Sequence, residues 1–203
     1  MAKPTILLTA VGAAFLLSAC GGGGGGGGTG GGNASLESYA ADLAAIGSDP
    51  TLASSTLDST VNDMNGSATY NGVINIGTDA ASNPAGAAAY YGSLSMTVDF
   101  SNAGTNDAVT GTAGNFIQFF SEIASPKTGE AVAGSIAMSG NLSGTNVSGL
   151  GDGLSGTATG TIDGIDVAYT FDGNITGLAG NGMSLYFDGA NAESTGGVGL
   201  AVD

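Results

Sequence analysis

The sequence contains no histidine, no tryptophan and a single cysteine in 203 residues. Without histidine, Ser-His and Cys-His nucleophilic catalysis, the usual zinc sites and histidine-ligated haem are excluded. A single cysteine cannot form a disulfide within the chain. No pair of acidic residues stands out as placed for carboxylate catalysis. We therefore expect a protein that is not an enzyme and that uses no metal or cofactor.

Basic side chains are also nearly absent. Lysine and arginine together number 2, aspartate and glutamate 17, and the formal net charge is −15 at pH 7. Because phosphate binding depends on Lys and Arg, nucleic acid is excluded as a partner. The acidic surface favours solubility or a salty habitat, and the sharper alternative is that it attracts a basic partner or cations.

The N-terminus has the parts of a bacterial lipoprotein signal in the right order. Lys3 supplies the positive charge, and residues 6–17 form an apolar run too short to span a bilayer. Leu17-Ser18-Ala19-Cys20 resembles the lipobox, in which cleavage before the cysteine is coupled to its acylation with chains such as palmitate. We predict a signal peptide over residues 1–19 and lipid attachment at Cys20. An ordinary secretory signal with a chance cysteine is the alternative.

A glycine-rich tract follows the predicted lipid. Residues 21–32 are glycine except for Thr29, so they have almost nothing to pack and lose much entropy on ordering. We interpret residues 20–33 as a lipidated cysteine with a flexible tether that spans about 20 Å. A phosphate-binding loop is the alternative, but no strand precedes the glycines and no Gly-Lys-Ser/Thr follows them. Two or more acyl chains would hold the mature protein on a membrane without crossing it.

Residues 34–65 are predicted to be a short helical and linker segment. Apolar side chains at helical spacing predict a helix over about 35–46, which Gly47 and Pro50 would end; they are Leu36, Tyr39, Ala40, Leu43 and Ile46. A further helical turn is indicated by the spacing of Leu57, Val61 and Met64.

Residues 66–203 are predicted to form one β-barrel domain, because the apolar period changes to two. The clearest strand has Leu94, Met96, Val98 and Phe100 alternating with Ser, Thr and Asp. The same alternation appears in four later runs, whose apolar residues are Val132, Ile136, Met138 and Leu142; Leu154, Ala158 and Ile162; Ile165, Val167, Tyr169 and Phe171; and Met183, Leu185 and Phe187.

Weaker runs at about 67–77, 107–115 and 194–202 bring the number of antiparallel strands to about eight. Val198, Leu200 and Val202 are predicted to be the inward face of the last strand. Turn dipeptides suited to tight hairpins separate several runs, namely Asp163-Gly164, Asn181-Gly182 and Asp188-Gly189. Eight such strands close into a barrel that is either filled by side chains or holds one small ligand.

The alternation fits a soluble barrel and a membrane barrel equally, with the two faces exchanged. The sequence lacks the aromatic girdles of a membrane barrel, and a lipid anchor would be redundant on one. The predicted fold class is therefore mainly β: an eight-stranded antiparallel soluble β-barrel, with a short N-terminal helix after a glycine-rich tether.

One segment departs from the strand pattern. Phe116, Phe119, Phe120 and Ile123 lie at i, i+3, i+4 and i+7, which predicts a helical turn over residues 116–123. Such a turn would be a plug over one end of the barrel or, alternatively, a lid or a docking patch.

The residues argue against two ligand types, calcium and haem. The sequences Gly151-Asp152-Gly153 and Asp163-Gly164-Ile165-Asp166 are faint echoes of calcium loops, but they lack the bidentate Glu, and hairpin turns explain them better. An axial haem ligand could only be Tyr or Met, with Tyr90, Tyr91 and Met96 as the nearest cluster. We expect no tight haem binding, since an acidic surface disfavours the propionates.

The end of the chain carries a family resemblance. Residues 185–198, LYFDGANAESTGGV, resemble the closing motif of the transferrin-binding protein B-like lipoproteins, which include factor H-binding and haem-acquisition relatives. Residues 66–72 resemble the opening strand of that family, and residues 132–136 and 154–158 resemble its inner strands. The resemblance covers about 66–203 together with the signal; Ala190 stands where the family has proline.

The resemblance implies an outer-membrane lipoprotein, on the periplasmic face or exported to the cell surface by the family's dedicated translocon. It also implies a binding role toward host transferrin, a complement regulator or haem-carrying proteins. Since only one barrel is evident and the family's basic residues are nearly absent, we expect a non-enzymatic module that captures an unidentified solute or macromolecule. A passive structural or adhesive surface protein is the alternative, and a filled barrel rather than a cavity of about 300 Å³ or more would favour it.

Overall fold

The computed structural model describes residues 35–78, 87–105, 107–121, 129–143, 153–189 and 195–202. Two α-helices precede the sheet, α1 (Leu36–Ser48) and α2 (Asp58–Asp63), with a 3₁₀ turn, Pro50–Leu52, between them. The strands are β1 (Ser67–Thr78), β2 (Ala88–Asp99), β3 (Val109–Ser121), β4 (Ala131–Ser143), β5 (Gly153–Ile162), β6 (Ile165–Thr176), β7 (Gly182–Asp188) and β8 (Thr195–Val202).

The eight strands form a closed barrel. Each pairs antiparallel with its sequence neighbour, and β8 pairs with β1 to complete the ring. The predicted eight-stranded antiparallel barrel after a short helix is thus confirmed. The hairpin predicted at Asp163-Gly164 is also present, since both residues have positive φ, 51° and 79°, as a two-residue turn requires.

Helix α1 lies against the outside of the barrel, where it contacts β1, β2 and β8. Ser35 caps its N-terminus: the Ser35 hydroxyl accepts from the Ser38 N–H at 3.1 Å, and the Ser35 N–H donates to the Ser38 hydroxyl at 2.9 Å. Tyr39 is the buried side chain of the helix and packs with Val73 and Ile117. The helix therefore covers the seam where the first and last strands meet.

Large side chains fill the barrel interior, and glycines on neighbouring strands make room for them. Among the bulkiest fully buried residues are Tyr70, Tyr90, Phe116, Phe171 and Phe187. A Cβ at Gly92 would lie 2.6 Å from the Phe116 ring, and a Cβ at Gly156 would lie 2.6 Å from the tip of Phe171. The apolar faces predicted for β2, β4, β5, β6 and β7 point inward, as in a soluble barrel.

The prediction for the last strand is wrong by one position. Gly197 and Gly199 are buried, whereas Val198 is half-buried and Leu200 is 36% exposed; the Val202 side chain lies outside the described part. A Cβ at Gly197 would lie 3.2 Å from Leu94 and 3.5 Å from Phe187. Because side chains of other strands already occupy this part of the core, β8 presents glycine to the interior.

The predicted helix over residues 116–123 is also wrong. Strand β3 runs through Ser121, and the register of its pairing with β4 shifts between Gly114 and Phe116. Phe116 points inward, while Ile117 is buried on the outer face, in the cluster beneath α1. Because Phe116 faces the core and Ile117 lies beneath α1, apolar residues occur on both faces of this strand and imitate helical spacing. Ile123 lies outside the described residues.

The position of a plug is instead taken by α2 and the turn that precedes it. Val61 of α2 is buried in the barrel core, and Met64 packs against that core. The Thr56 N–H donates to the Ile175 carbonyl at 2.9 Å, and its hydroxyl donates to the Gly177 carbonyl at 2.6 Å. These contacts fix α2 at the end of the barrel that holds the β6–β7 turn.

Tyr70 lies at the same end of the barrel and should make the stability of the fold depend on pH. Its phenol is buried, donates to the Gly180 carbonyl at 2.8 Å, and has its pKa raised by burial to about 12 from the usual 10.0. A raised folded-state pKa means that this contribution to stability is complete below pH 10 and is lost as the pH rises through 12. We expect Tyr70 to lower the free energy of unfolding in urea by about 2 kcal/mol between pH 9 and pH 11.5, and Tyr39, whose pKa burial also raises, to add a smaller loss.

Tyr70→Phe should remove most of that alkaline loss and cost about 1 kcal/mol at pH 7, because the buried Gly180 carbonyl loses this donor. Tyr186→Phe is the matched control, since the Tyr186 side chain is 54% exposed. An alkaline loss that Tyr70→Phe leaves unchanged would contradict the assignment.

Candidate functional site

Because side chains fill the interior, the accessible surface for a binding site is the outside of the barrel. Outward-facing residues of β4, β5 and β6 are almost all short: Ser, Thr, Ala, Asn and Asp. The strand register aligns three of these outward residues across the sheet: Thr157 of β5 pairs with Thr170 of β6, and Thr170 pairs with Asp188 at the end of β7. This row forms part of an open groove.

The groove has a volume of about 520 Å³ and lies where β7 leaves the sheet. Its walls are formed by three strands, with lining residues Thr157, Thr159, Ala168, Tyr169, Thr170, Asp188 and Gly189. Strand β7 pairs with β6 only from Thr170 to Thr176, whereas β5 pairs with β6 from Ile165 onward. The β5–β6 hairpin therefore extends beyond the end of β7. A Cβ at Gly189 would lie 2.7 Å from the Ala168 carbonyl oxygen, so only glycine lets the chain leave β7 this close to β6.

An exposed aromatic ring lies beside the groove. Tyr186 precedes Asp188 by two positions on β7, so both side chains are on the outer face. It is 54% exposed and lies opposite Asp172 on β6 and Gly196 on β8. Since Gly196 has no side chain, the β8 side of the ring is left open. Tyr186, Asp172 and Asp188 therefore form a group next to the groove, and we call this group with the groove the β5–β7 face.

The electrostatics of this face follow from composition. The chain has two basic residues, Lys3 and Lys127, and both lie outside the described part. The described residues thus carry no basic side chain, and Asp172 and Asp188 are exposed without an ion-pair partner among them. Chemically, the face offers hydroxyls, methyl groups, two carboxylates and one ring.

A second aromatic cluster on the outside is already covered by α1. The rings of Tyr91 and Phe119 stack with centroids 4.3 Å apart, and Tyr39 lies 6.5 Å from Tyr91. The Tyr39 hydroxyl donates to the Asn115 carbonyl at 2.8 Å, and burial raises the pKa of that phenol. Phe120 is 48% exposed. This cluster holds α1 on the barrel.

The remaining predicted site residues do not come together. Tyr90 and Met96 are fully buried inside the barrel, whereas Tyr91 faces outward, so the three cannot share one haem; the absence of tight haem binding stays a prediction. Cys20, the tether and Gly151-Asp152 lie outside the described residues. Within the part that the structure describes, no three His, Cys, Asp or Glu side chains are grouped to hold a metal, and no helix is long and apolar enough to cross a membrane.

Comparisons with known proteins show the following. No protein-family model matches the sequence, and the comparison with curated proteins found no match. Among solved structures, the chain is similar to isotype 1 transferrin binding protein B from serogroup B Neisseria meningitidis, at 18% identity and a TM-score of 0.43. The match covers 73% of this chain and 27% of that chain, so this chain spans about a quarter of that protein. This similarity shows neither a family nor a binding partner.

Sequence reasoning missed the β5–β7 face. One signal was present: in Ser184-Leu185-Tyr186-Phe187-Asp188, Tyr186 is the aromatic residue on the polar side of the alternation. The groove had no comparable signal, because it depends on where β7 ends relative to β5 and β6.

Proposed function

We propose that the protein is an outer-membrane lipoprotein whose barrel is a non-enzymatic binding module that engages a macromolecular partner through its outer surface. The lipobox at Cys20 supports the anchor, and residues 21–32 support a tether that holds the barrel away from the bilayer. The lack of histidine supports a role without catalysis.

One observation carries the choice of a macromolecule over a small solute. The interior is occupied by Tyr70, Tyr90, Phe116, Phe171 and Phe187, each exposed by 0–1%. A ligand inside would have to displace these rings, and each large buried side chain contributes roughly 1.5–3 kcal/mol to folding. Binding on the outside displaces nothing from the core.

The same filled interior favours a second candidate, a passive structural or adhesive surface lipoprotein. The binding module and the passive protein differ in what they require of the outer surface. Only a binding module requires an exposed aromatic ring beside a groove. Aromatic residues are enriched in the energetic centres of protein interfaces, and 54% exposure of Tyr186 on a face of short side chains therefore favours binding.

The test is a pull-down with the soluble domain, residues 34–203, against extracellular host fluid or culture medium. We expect one macromolecular component to be retained, to bind saturably when purified, and to be lost when the domain is unfolded. Mass spectrometry of the purified native domain should show no retained small molecule. A stoichiometric small molecule would contradict outer-surface binding, and no retained component would favour the passive shell.

A further inference from the structure

We propose that the β5–β7 face binds a lysine or arginine side chain of a basic polypeptide segment, an inference that rests on the proposed outer-surface binding. The ring of Tyr186 would receive the cation, Asp172 and Asp188 would supply the opposite charge, and the groove would hold the adjoining part of the segment.

The shape of the face fits one long side chain with a flexible stem. Tyr186 stands among short residues, with Asp172 directly across the pair of strands and Asp188 two positions along its own strand. Directly opposite side chains have Cβ atoms about 4.5–5.5 Å apart, so one ammonium or guanidinium group can contact the ring and a carboxylate together. Thr157, Thr159 and Ala168 line the groove beside them. Their methyl groups are available for apolar contact with the stem.

Charge complementarity decides the occupant. The described residues include no lysine or arginine, so an anionic partner would meet only like charge. A cationic partner supplies the counter-charge that no described residue provides to Asp172 and Asp188. A metal ion is a poorer fit, because no group of three ligating side chains occurs among the described residues.

The described part of the chain leaves Tyr186, Asp172 and Asp188 exposed. The N-terminal segment enters the barrel domain at Ser35, and α1 packs on β1, β2 and β8. In a ring of eight strands, β5 is four positions from β1 and lies on the opposite side. Among the described residues, helix α1 therefore lies on β1, β2 and β8 and leaves β5 and β6 uncovered, while Tyr186 of β7 is itself 54% exposed.

The experiment measures binding of a short lysine-serine peptide to the soluble domain, residues 34–203, by fluorescence anisotropy at low ionic strength. Asp172→Asn with Asp188→Asn should raise the Kd about fivefold, because the variant loses two exposed ion pairs with the peptide, each of them weak. Tyr186→Ala should raise it about threefold, and Tyr186→Phe, which keeps the ring, should leave it within about twofold. Added salt should weaken binding throughout.

The matched control is Glu37→Gln with Asp42→Asn, which removes the same two charges from the exposed side of α1. We expect the Kd of this variant to stay within about twofold of the parent, because its charges lie on α1, which contacts β1, β2 and β8 and carries none of the residues of the β5–β7 face. Equal weakening by both double variants would overturn the site and reduce the binding to net charge. No peptide binding, or binding of a neutral oligosaccharide in its place, would overturn it as well.

The outcome is independent of the pull-down, because the probe is a defined peptide. A failed pull-down with a positive peptide result would remove the proposed natural partner and leave the cation-binding face. A successful pull-down that Asp172→Asn with Asp188→Asn leaves unchanged would retain the proposed function and place its interface elsewhere.

Discussion

Deletion of residues 191–203 is expected to abolish cooperative thermal unfolding of the barrel. The deleted segment contains β8, which pairs with β1 at seven positions and with β7 at six. Without it, both neighbours become unpaired edges and the core opens between them. Each lost hydrogen bond costs about 1 kcal/mol net, and the sum over both pairings is comparable with the total stability of a domain, about 5–15 kcal/mol. Exposure of the core adds to this loss. Circular dichroism or calorimetry would show a broad, non-cooperative transition.

Two point variants of β8 separate closure from general disturbance of the strand. Gly199→Leu should destabilise the barrel by about 1–3 kcal/mol, since a Cβ there already lies 3.3 Å from Tyr70 and 3.4 Å from Met183. Leu200→Ser changes an outward residue that is 36% exposed and should shift the free energy of unfolding by about 0.5 kcal/mol or less. A truncated protein that melts as sharply as the intact domain would contradict the closed barrel.

The alternation of apolar and polar residues correctly predicted the inward faces of β2 and of β4 to β7, whose outward residues are mostly polar. Runs such as Val132 to Leu142 in β4 have one buried face and one exposed face, so polarity reports direction directly. The prediction failed on β8, where glycine faces the core, and on β3, part of which lies beneath α1. There Ile117 is apolar yet outward, because the helix covers it. An apolar residue in a strand indicates a buried side chain. It indicates a side chain that points into the barrel only where nothing packs on the outside of the strand.

Glycine explains the error on β8 more fully. A pattern that scores Val198 and Leu200 as core residues ignores Gly197 and Gly199, whose missing side chains give no apolar signal. Their inward placement depends on Leu94, Phe187, Tyr70 and Met183, which reach across from other strands. Such complementarity between large and small residues is set by the closed ring, and the sequence of one strand does not contain it.

One part of the candidate site could be predicted from the sequence, and the other part could not. The exposed position of Tyr186 could be read from its phase within β7. Its proximity to Asp172 depends on the β6–β7 register, which the loop from Gly177 to Asn181 sets without a two-residue hairpin signature. The predicted turn at Asn181-Gly182 therefore only marks where β7 begins, and the register had to come from the structure.

Cys20→Ser is expected to leave an uncleaved precursor without lipid, because the serine hydroxyl does not replace the thiol that the resemblance to the lipobox assigns to acylation. Incorporation of labelled palmitate should disappear, and the protein should run larger on a gel than the mature form. Without several acyl chains, each CH₂ of which contributes about 0.8 kcal/mol, stable retention through a lipid anchor is lost. An inhibitor of lipoprotein processing should have the same effect on the wild type. Thr29→Ser, a hydroxyl exchange within the tether, is the control and should be processed normally. Normal cleavage and membrane retention of Cys20→Ser would contradict the lipoprotein assignment, and the barrel domain would then reach its location as an ordinary secreted protein.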